Sequence, residues 1–265
     1  MLILISFLTI LLIPSMAHAW GPLTHVYLGN QVLNLGVAAI PAGIYSILKK
    51  FKKDFLYGNL SADIIFGKRF QGIEKNSHNW DIAWRLLASA KTDSHKAFAY
   101  GYLTHLSADT VVHNLRRHRL PFTPLEKKLR SRFLTGFTHP ILEIKSDSIV
   151  DKKYRSVLKG LDKVTQKRND VLLENMLESV FFSFNTNKKI FKGFLVLSRL
   201  PSYTPVSNFI DKRFPYEIPA EDIYDFQQES LSRMVELLRN GKDSEVLKKN
   251  PAKVSNLRAI NKVTV

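Results

Sequence analysis

An all-α fold is the expectation for this chain of 265 residues, and three observations carry it. Apolar residues recur at helical spacing in nearly every segment. No alternating strand pair, internal repeat or low-complexity linker interrupts them. Turn signals are scattered singly, at Pro41, Pro121, Pro124, Pro201, Pro205 and Pro215. The length allows one large domain or two small ones, with ample chain to build a core.

In chain order, residues 1–13 (MLILISFLTILLI) are almost wholly apolar, and Ala17, His18 and Ala19 follow in the small-x-small pattern that signal peptidase reads. This run is shorter than the ~20 residues a membrane helix needs. Residues 1–19 therefore read as an export signal cleaved after Ala19, which would make Trp20 the first residue. LTHVYLGNQVLNLG reads as a helix that stops at Gly36, and AGIYSILKKFKKDFL as one basic amphipathic stretch. YGNLSADI carries Asp63 after a Gly-containing turn. NWDIAWRLLASAKT and DSHKAFAYGYLTHLSADTVVHNLRRH follow as helices, the second with Asp93 placed to cap it. THPILE, DVLLENMLESVFFSF and AEDIYDFQQESLSRMVELLRN read likewise. Chemistry is concentrated early: seven of the eight histidines lie between 25 and 139, and none follows 146. Residues 20–145 are expected to form a metal-binding helical core, and 146–265 a helical part packed on it or continuous with it.

The formal charge is +16, the pI is near 9.9, and cysteine is absent. Disulfide stapling and lipid anchoring through cysteine are thereby excluded. The positive excess favours anionic partners: a phospholipid surface, nucleic acid or another phosphate-bearing substrate. The run LRRHRLPFTPLEKKLRSRF could rim a cleft that meets phosphate, or form a solvated basic face.

The strongest signal is AYGYLTHLSADTVVH, which spaces His105, Asp109 and His113 at successive i, i+4 positions. Each step drifts roughly 40° around a helix, so the three share one side. Their neighbours are mainly apolar, and buried imidazoles and carboxylates must find partners. A divalent metal satisfies all of them at once. His139 and Glu143 repeat the spacing, and Asp63, His78 and His25 extend the set. Imidazole with carboxylate suits Zn²⁺, which takes about four ligands, so eight side chains imply two or three ions. A free amine on Trp20, with its own carbonyl, would close a five-membered chelate, with His25 nearby to join it. The other reading of Trp20 is a hydrophobic plug in the core. Tyr57, Phe66, Phe70 and Trp80 are candidates for substrate contact by proximity in sequence, with packing as their alternative.

Taken in order, Trp20, His25, Asp63, His78, His105-x3-Asp109-x3-His113 and His139-x3-Glu143 resemble the zinc-dependent phospholipase C family, whose superfamily also holds the fungal single-strand zinc nucleases. The resemblance covers about residues 20–145. It implies an all-α fold with three zinc ions: one on Asp63, His78, His105 and Asp109; one on His113, His139 and Glu143; one on the Trp20 amine and carbonyl, His25 and a bridging Asp109. The four-residue gap from Asp109 to His113, with YGNLSAD and HNW, is similar to the N-terminal domain of the glycosylphosphatidylinositol-specific phospholipase D. The Trp20-to-His25 spacing resembles the fungal nucleases. The implied activity is an exported phospholipase C that hydrolyses membrane phospholipids with zinc-activated water, Asp63 acting on the nucleophile as well as on metal. Contact with an anionic membrane surface is part of this reading. A zinc nuclease or nucleotidase acting on nucleic acid is the alternative, and a non-hydrolytic metal-binding relative is a third.

Overall fold

The computed structural model describes residues 20–65, 77–114, 138–150, 153–161, 163–177, 183–199 and 220–252. Among the described residues there are ten α-helices, four short 3-10 segments and no strand, so the all-α expectation holds. The helices are α1 (Pro22–Leu35), α2 (Ala42–Lys50), α3 (Lys52–Ser61), α4 (Trp80–Ala88), α5 (Asp93–Asn114), α6 (Thr138–Ile149), α7 (Lys153–Lys159), α8 (Lys163–Met176), α9 (Phe184–Arg199) and α10 (Ala220–Asn240).

α5 is the axis of the fold. Its 22 residues span about 33 Å at 1.5 Å per residue. Phe98, Tyr102, Leu103, Leu106, Val111 and Val112 are buried on it, and so are Thr104, His105, Ser107, Asp109 and Thr110 between them. A helix buried on every side must be enclosed by others, and α3, α4 and α10 enclose it. α1 packs in turn on α3, α6, α7 and α10. The start of α5 differs from expectation. Thr92 is the cap, its Oγ1 accepting from the His95 N–H at 3.3 Å, while Asp93 sits in the first turn.

Two further readings are corrected. AGIYSILKKFKKDFL is not one helix but breaks at Phe51 (φ −112°, ψ 44°) into α2 and α3. α2 is mostly exposed, whereas α3 is buried continuously from Asp54 to Ser61, so one straight helix would not serve both surroundings. The glycine before Asp63 does not make a turn either. Gly58 lies inside α3 against Gly101 of α5, and a Cβ on either would come within 2.1 Å of the other helix's backbone, at Phe98 O or Phe55 O. The two glycines let the helices touch main chain to main chain. Asp63 follows in the 3-10 segment Ala62–Ile64 that ends α3.

The histidine-free C-terminal stretch contributes directly to this core. α10 buries Ile223, Phe226, Gln227, Ser230, Met234, Leu237 and Leu238, one stripe at helical spacing. It lies along α5 and α1 and covers Trp20, which is 0 % exposed. The plug reading of Trp20 is therefore realised; filling a site of that size is worth about 3–5 kcal/mol relative to alanine.

Candidate metal centre

Four helical segments deliver side chains to one point. His25 comes from the first turn of α1, Asp63 from the end of α3, His78 from the residues preceding α4, and His105 and Asp109 from α5. All five are at least 95 % buried. His78 Nε2 lies 3.2 Å from Asp63 Oδ1 and 3.0 Å from Asp109 Oδ2. His105 Nε2 lies 3.3 Å from Asp109 Oδ2 and 3.7 Å from Asp63 Oδ1. His25 Nε2 lies 3.4 Å from Asp109 Oδ1, and its ring stacks on His105 at 3.9 Å. Two overlapping triads result, His25–His105–Asp109 and Asp63–His78–His105, each with its ligand atoms within 4.8 Å of one another.

The surrounding hydrogen bonds decide which atoms face inward. His105 Nδ1 contacts the Asn59 carbonyl at 2.8 Å, and only an N–H can satisfy a carbonyl. In the neutral ring, Nε2 is then a lone pair. Ser77 donates its one proton to the Ala62 carbonyl at 2.8 Å, so its oxygen accepts from His78 Nδ1 at 3.3 Å. His78 Nε2 is consequently a lone pair too, 3.2 Å from that of His105. Two imidazole lone pairs and the carboxylates of Asp63 and Asp109 converge. Neither oxygen of Asp109 and neither ring nitrogen of His25 has a hydrogen-bond partner of acceptable geometry. Buried acceptors facing one another are costly unless a cation sits among them. The donor set of imidazole nitrogen and carboxylate oxygen fits zinc.

Electrostatics agree. Burial alone would push the Asp109 carboxyl up, but His105, His25 and His78 around it hold it well below the usual carboxylate range. Burial disfavours a charged His105; the neighbouring Asp109 and Asp63 outweigh this and raise its pKa. His25 goes the other way, lowered by burial and by His105 beside it. The pocket demands positive charge, from a proton or from a metal ion, and the metal meets more acceptors at once.

A family model described as zinc-dependent phospholipase C matches residues 24–195, which runs from the first turn of α1 into α9 and takes in every one of these five residues. The chain belongs to the zinc-dependent phospholipase C family. It is also 31 % identical over 101 residues to an uncharacterized protein of Archaeoglobus fulgidus, over 36 % of this chain and 26 % of that protein. The chain thus spans about a quarter of the length of the curated relative it matches. No solved structure matches it.

Of the nine residues expected to bind metal, the structure brings His25, Asp63, His78, His105 and Asp109 together. His113 is on α5 and His139 on α6, both by main chain, and their side chains lie outside the described residues; Glu143 is half-buried on α6. Trp20 is buried, and its indole bonds Ser230 of α10, as considered below. Phe66, Phe70 and the basic run 115–133 lie outside the described residues. Tyr57 is buried in α3 and donates to Asp170 Oδ1 at 2.5 Å, so it packs and does not line a site. Trp80 donates to the Lys249 carbonyl at 2.9 Å.

The residues that orient the ligands were missed. Asn59 and Ser77 set the histidine tautomers, and Tyr102 donates to the Ser77 carbonyl at 2.5 Å, tying the His78 segment to α5. Asn79 caps α4, accepting from the Asp81 N–H at 2.9 Å, and so fixes the residue after His78. One signal for Tyr102 was available: a tyrosine amid apolar residues on a buried helix needs a partner for its hydroxyl.

Proposed function

We propose that the chain is an exported zinc-dependent phosphodiesterase, a phospholipase C whose substrates are membrane phospholipids. The observation that supports this most strongly is the convergence of the His78 and His105 Nε2 lone pairs with His25, Asp63 and Asp109 inside a family described by zinc dependence and that activity. Asp63, His78, His105 and Asp109 would hold one ion. Asp109 would share a second with His25 and the main chain of Trp20, freed by cleavage after Ala19. His113, His139 and Glu143 would hold a third.

When bound, zinc supplies a Lewis acid that brings the pKa of water toward ~7 and offsets the charge of phosphoryl oxygens. The chain's own residues arrange the rest. Asn59 and Ser77 keep the two Nε2 lone pairs pointing inward. Asp63, whose Oδ1 lies 3.2 Å from His78 Nε2 at the edge of the cluster, would take the proton of the attacking water. Asp109 faces His25 with one oxygen and His78 and His105 with the other, so it would be the ligand shared between two sites.

The test is a substrate panel on protein that begins at Trp20. The expected result is release of the phosphorylated head group from phosphatidylcholine vesicles, with single-stranded DNA left intact. Cleavage of DNA and not lipid would transfer the assignment to a nuclease. Zinc-loaded protein that hydrolyses neither would make it a non-hydrolytic binding protein.

A further inference from the structure

α1 begins without a cap of its own. Gly21 stands at the N-cap position with no side-chain bond, Pro22 follows, and the first turn holds no acidic residue. The N–H groups of a buried helix start still need acceptors. Asp147 supplies them from α6: Oδ2 accepts from the Leu23 N–H at 3.1 Å, and Oδ1 accepts from the Thr24 N–H and the Thr24 hydroxyl, each at 2.8 Å. Asp147 is 0 % exposed, and Gly21 lies so close that a Cβ there would stand 2.4 Å from the carboxylate. Four residues before Asp147 on the same helix is Glu143. The helix carrying His139 and Glu143 is thereby pinned to the start of the helix carrying His25.

The other side of the same short segment is also fixed. The Trp20 indole Nε1 donates to Ser230 Oγ at 3.0 Å, and the Ser230 hydroxyl reaches the Ala108 carbonyl at 3.4 Å, one residue before Asp109. Ser230 belongs to α10, beyond residues 24–195. Residues 20 to 24 are thus held from two directions, by α6 through the main chain and by α10 through the indole.

We propose that Asp147 and Ser230 are positioning residues for the ion that His25 and Asp109 share with the main chain of Trp20: together they hold residue 20 where its amine and carbonyl meet that ion. This rests on the reading that the chain is trimmed to Trp20. A five-residue N-terminal segment left free would have to be ordered at the moment of binding, which weakens affinity; a clamp removes that cost beforehand. Gly21 is part of the device, because no larger residue fits beneath the Asp147 carboxylate.

Metal-free protein beginning at Trp20 is titrated with Zn²⁺ against a competing chromophoric chelator, beside a form with one extra residue before Trp20. The equivalent that the trimmed form binds and the extended form lacks reports the main-chain ligand. Asp147→Ala is expected to weaken that equivalent by about 10–100-fold, as losses of ligand-orienting partners do, and to leave the others unchanged. Asp147→Asn, which keeps one acceptor oxygen, is expected to restore part of it, and Ser230→Ala to weaken it less. Should Asp147→Ala fail to fold, Ser230→Ala decides, since it removes a single oxygen. Unchanged binding in the folded variants overturns the proposal, and so does uniform weakening of every equivalent, the mark of a purely structural role. Identical titrations of trimmed and extended wild type would instead strike down the main-chain ligand itself, and the clamp with it.

Discussion

α3 carries a buried carboxylate near each end, and the chain treats the two in opposite ways. Near the N-terminal end Asp54 is answered by the protein: Arg168 donates to it through Nε at 2.9 Å and through Nη2, and Asn169 Nδ2 donates at 2.7 Å. One turn on, Tyr57 donates to Asp170, which also pairs with Lys188. Every carboxylate there meets N–H or O–H groups. Beyond the C-terminal end of α3, Asp63 joins Asp109, His25 and two further imidazoles, His78 and His105, whose inward Nε2 atoms are acceptors. Asp54 and Asp63 are similarly buried; the balance of donors around them differs. A buried carboxylate that meets its own donors is satisfied, whereas buried acceptors that face one another call for a cation.

The comparison breaks first at Asp109. Asp109→Asn removes the bridge and presents an amide where a carboxylate oxygen stood; phosphodiesterase activity should fall about 100-fold or more, with more than one zinc equivalent lost on elemental analysis. Gly58→Ala drives a methyl into the Phe98 carbonyl and spreads α3 from α5. It should cost about 3 kcal/mol by denaturant unfolding, at the upper end for overpacking, and lower zinc content because Asp63 and Asn59 move with α3. Chelation should act at one end of α3 alone. Metal held at about 100 times its Kd adds roughly 2.7 kcal/mol, so its removal should lower Tm by about 5–10 °C. Asp54→Ala should cost least, about 1.5 kcal/mol for charged hydrogen bonds whose Arg168 partner is partly exposed, with zinc content and the chelator-induced Tm shift unchanged. Loss of metal in Asp54→Ala would erase the distinction between the two ends.

The division of labour explains what the sequence could disclose. His105, Asp109 and His113 are visible because spacing on one helix is local, and a polar residue on an apolar helix is conspicuous. Convergence of His25, Asp63 and His78 on that helix is a property of packing, and it was approached only by grouping donor types and by the family resemblance of the set. The Gly58–Gly101 contact looked like a turn because a glycine's role depends on which helix lies across from it. The AGIYSILKKFKKDFL run looked continuous because its break at Phe51 follows from the burial of α3. Asp147 and Ser230 had no local signal at all: they act on residues 20 to 24 from more than 120 positions away. Position along the helices also sets the lysines of AGIYSILKKFKKDFL apart from the site. His25 begins α1 and Asp63 ends α3, while exposed Leu35 and Val37 and lysines 49, 50 and 52 gather at the opposite ends, about 15 Å away at 1.5 Å per residue. Any lipid contact made there would be remote from the metal ligands.

The account stands on the claim that the acceptors around Asp109 enclose metal. Elemental analysis of purified protein beginning at Trp20, after dialysis against metal-free buffer, tests it most directly. At least two tightly held zinc ions per chain are expected. Folded protein that contains no divalent metal and takes up none when zinc is offered would contradict it.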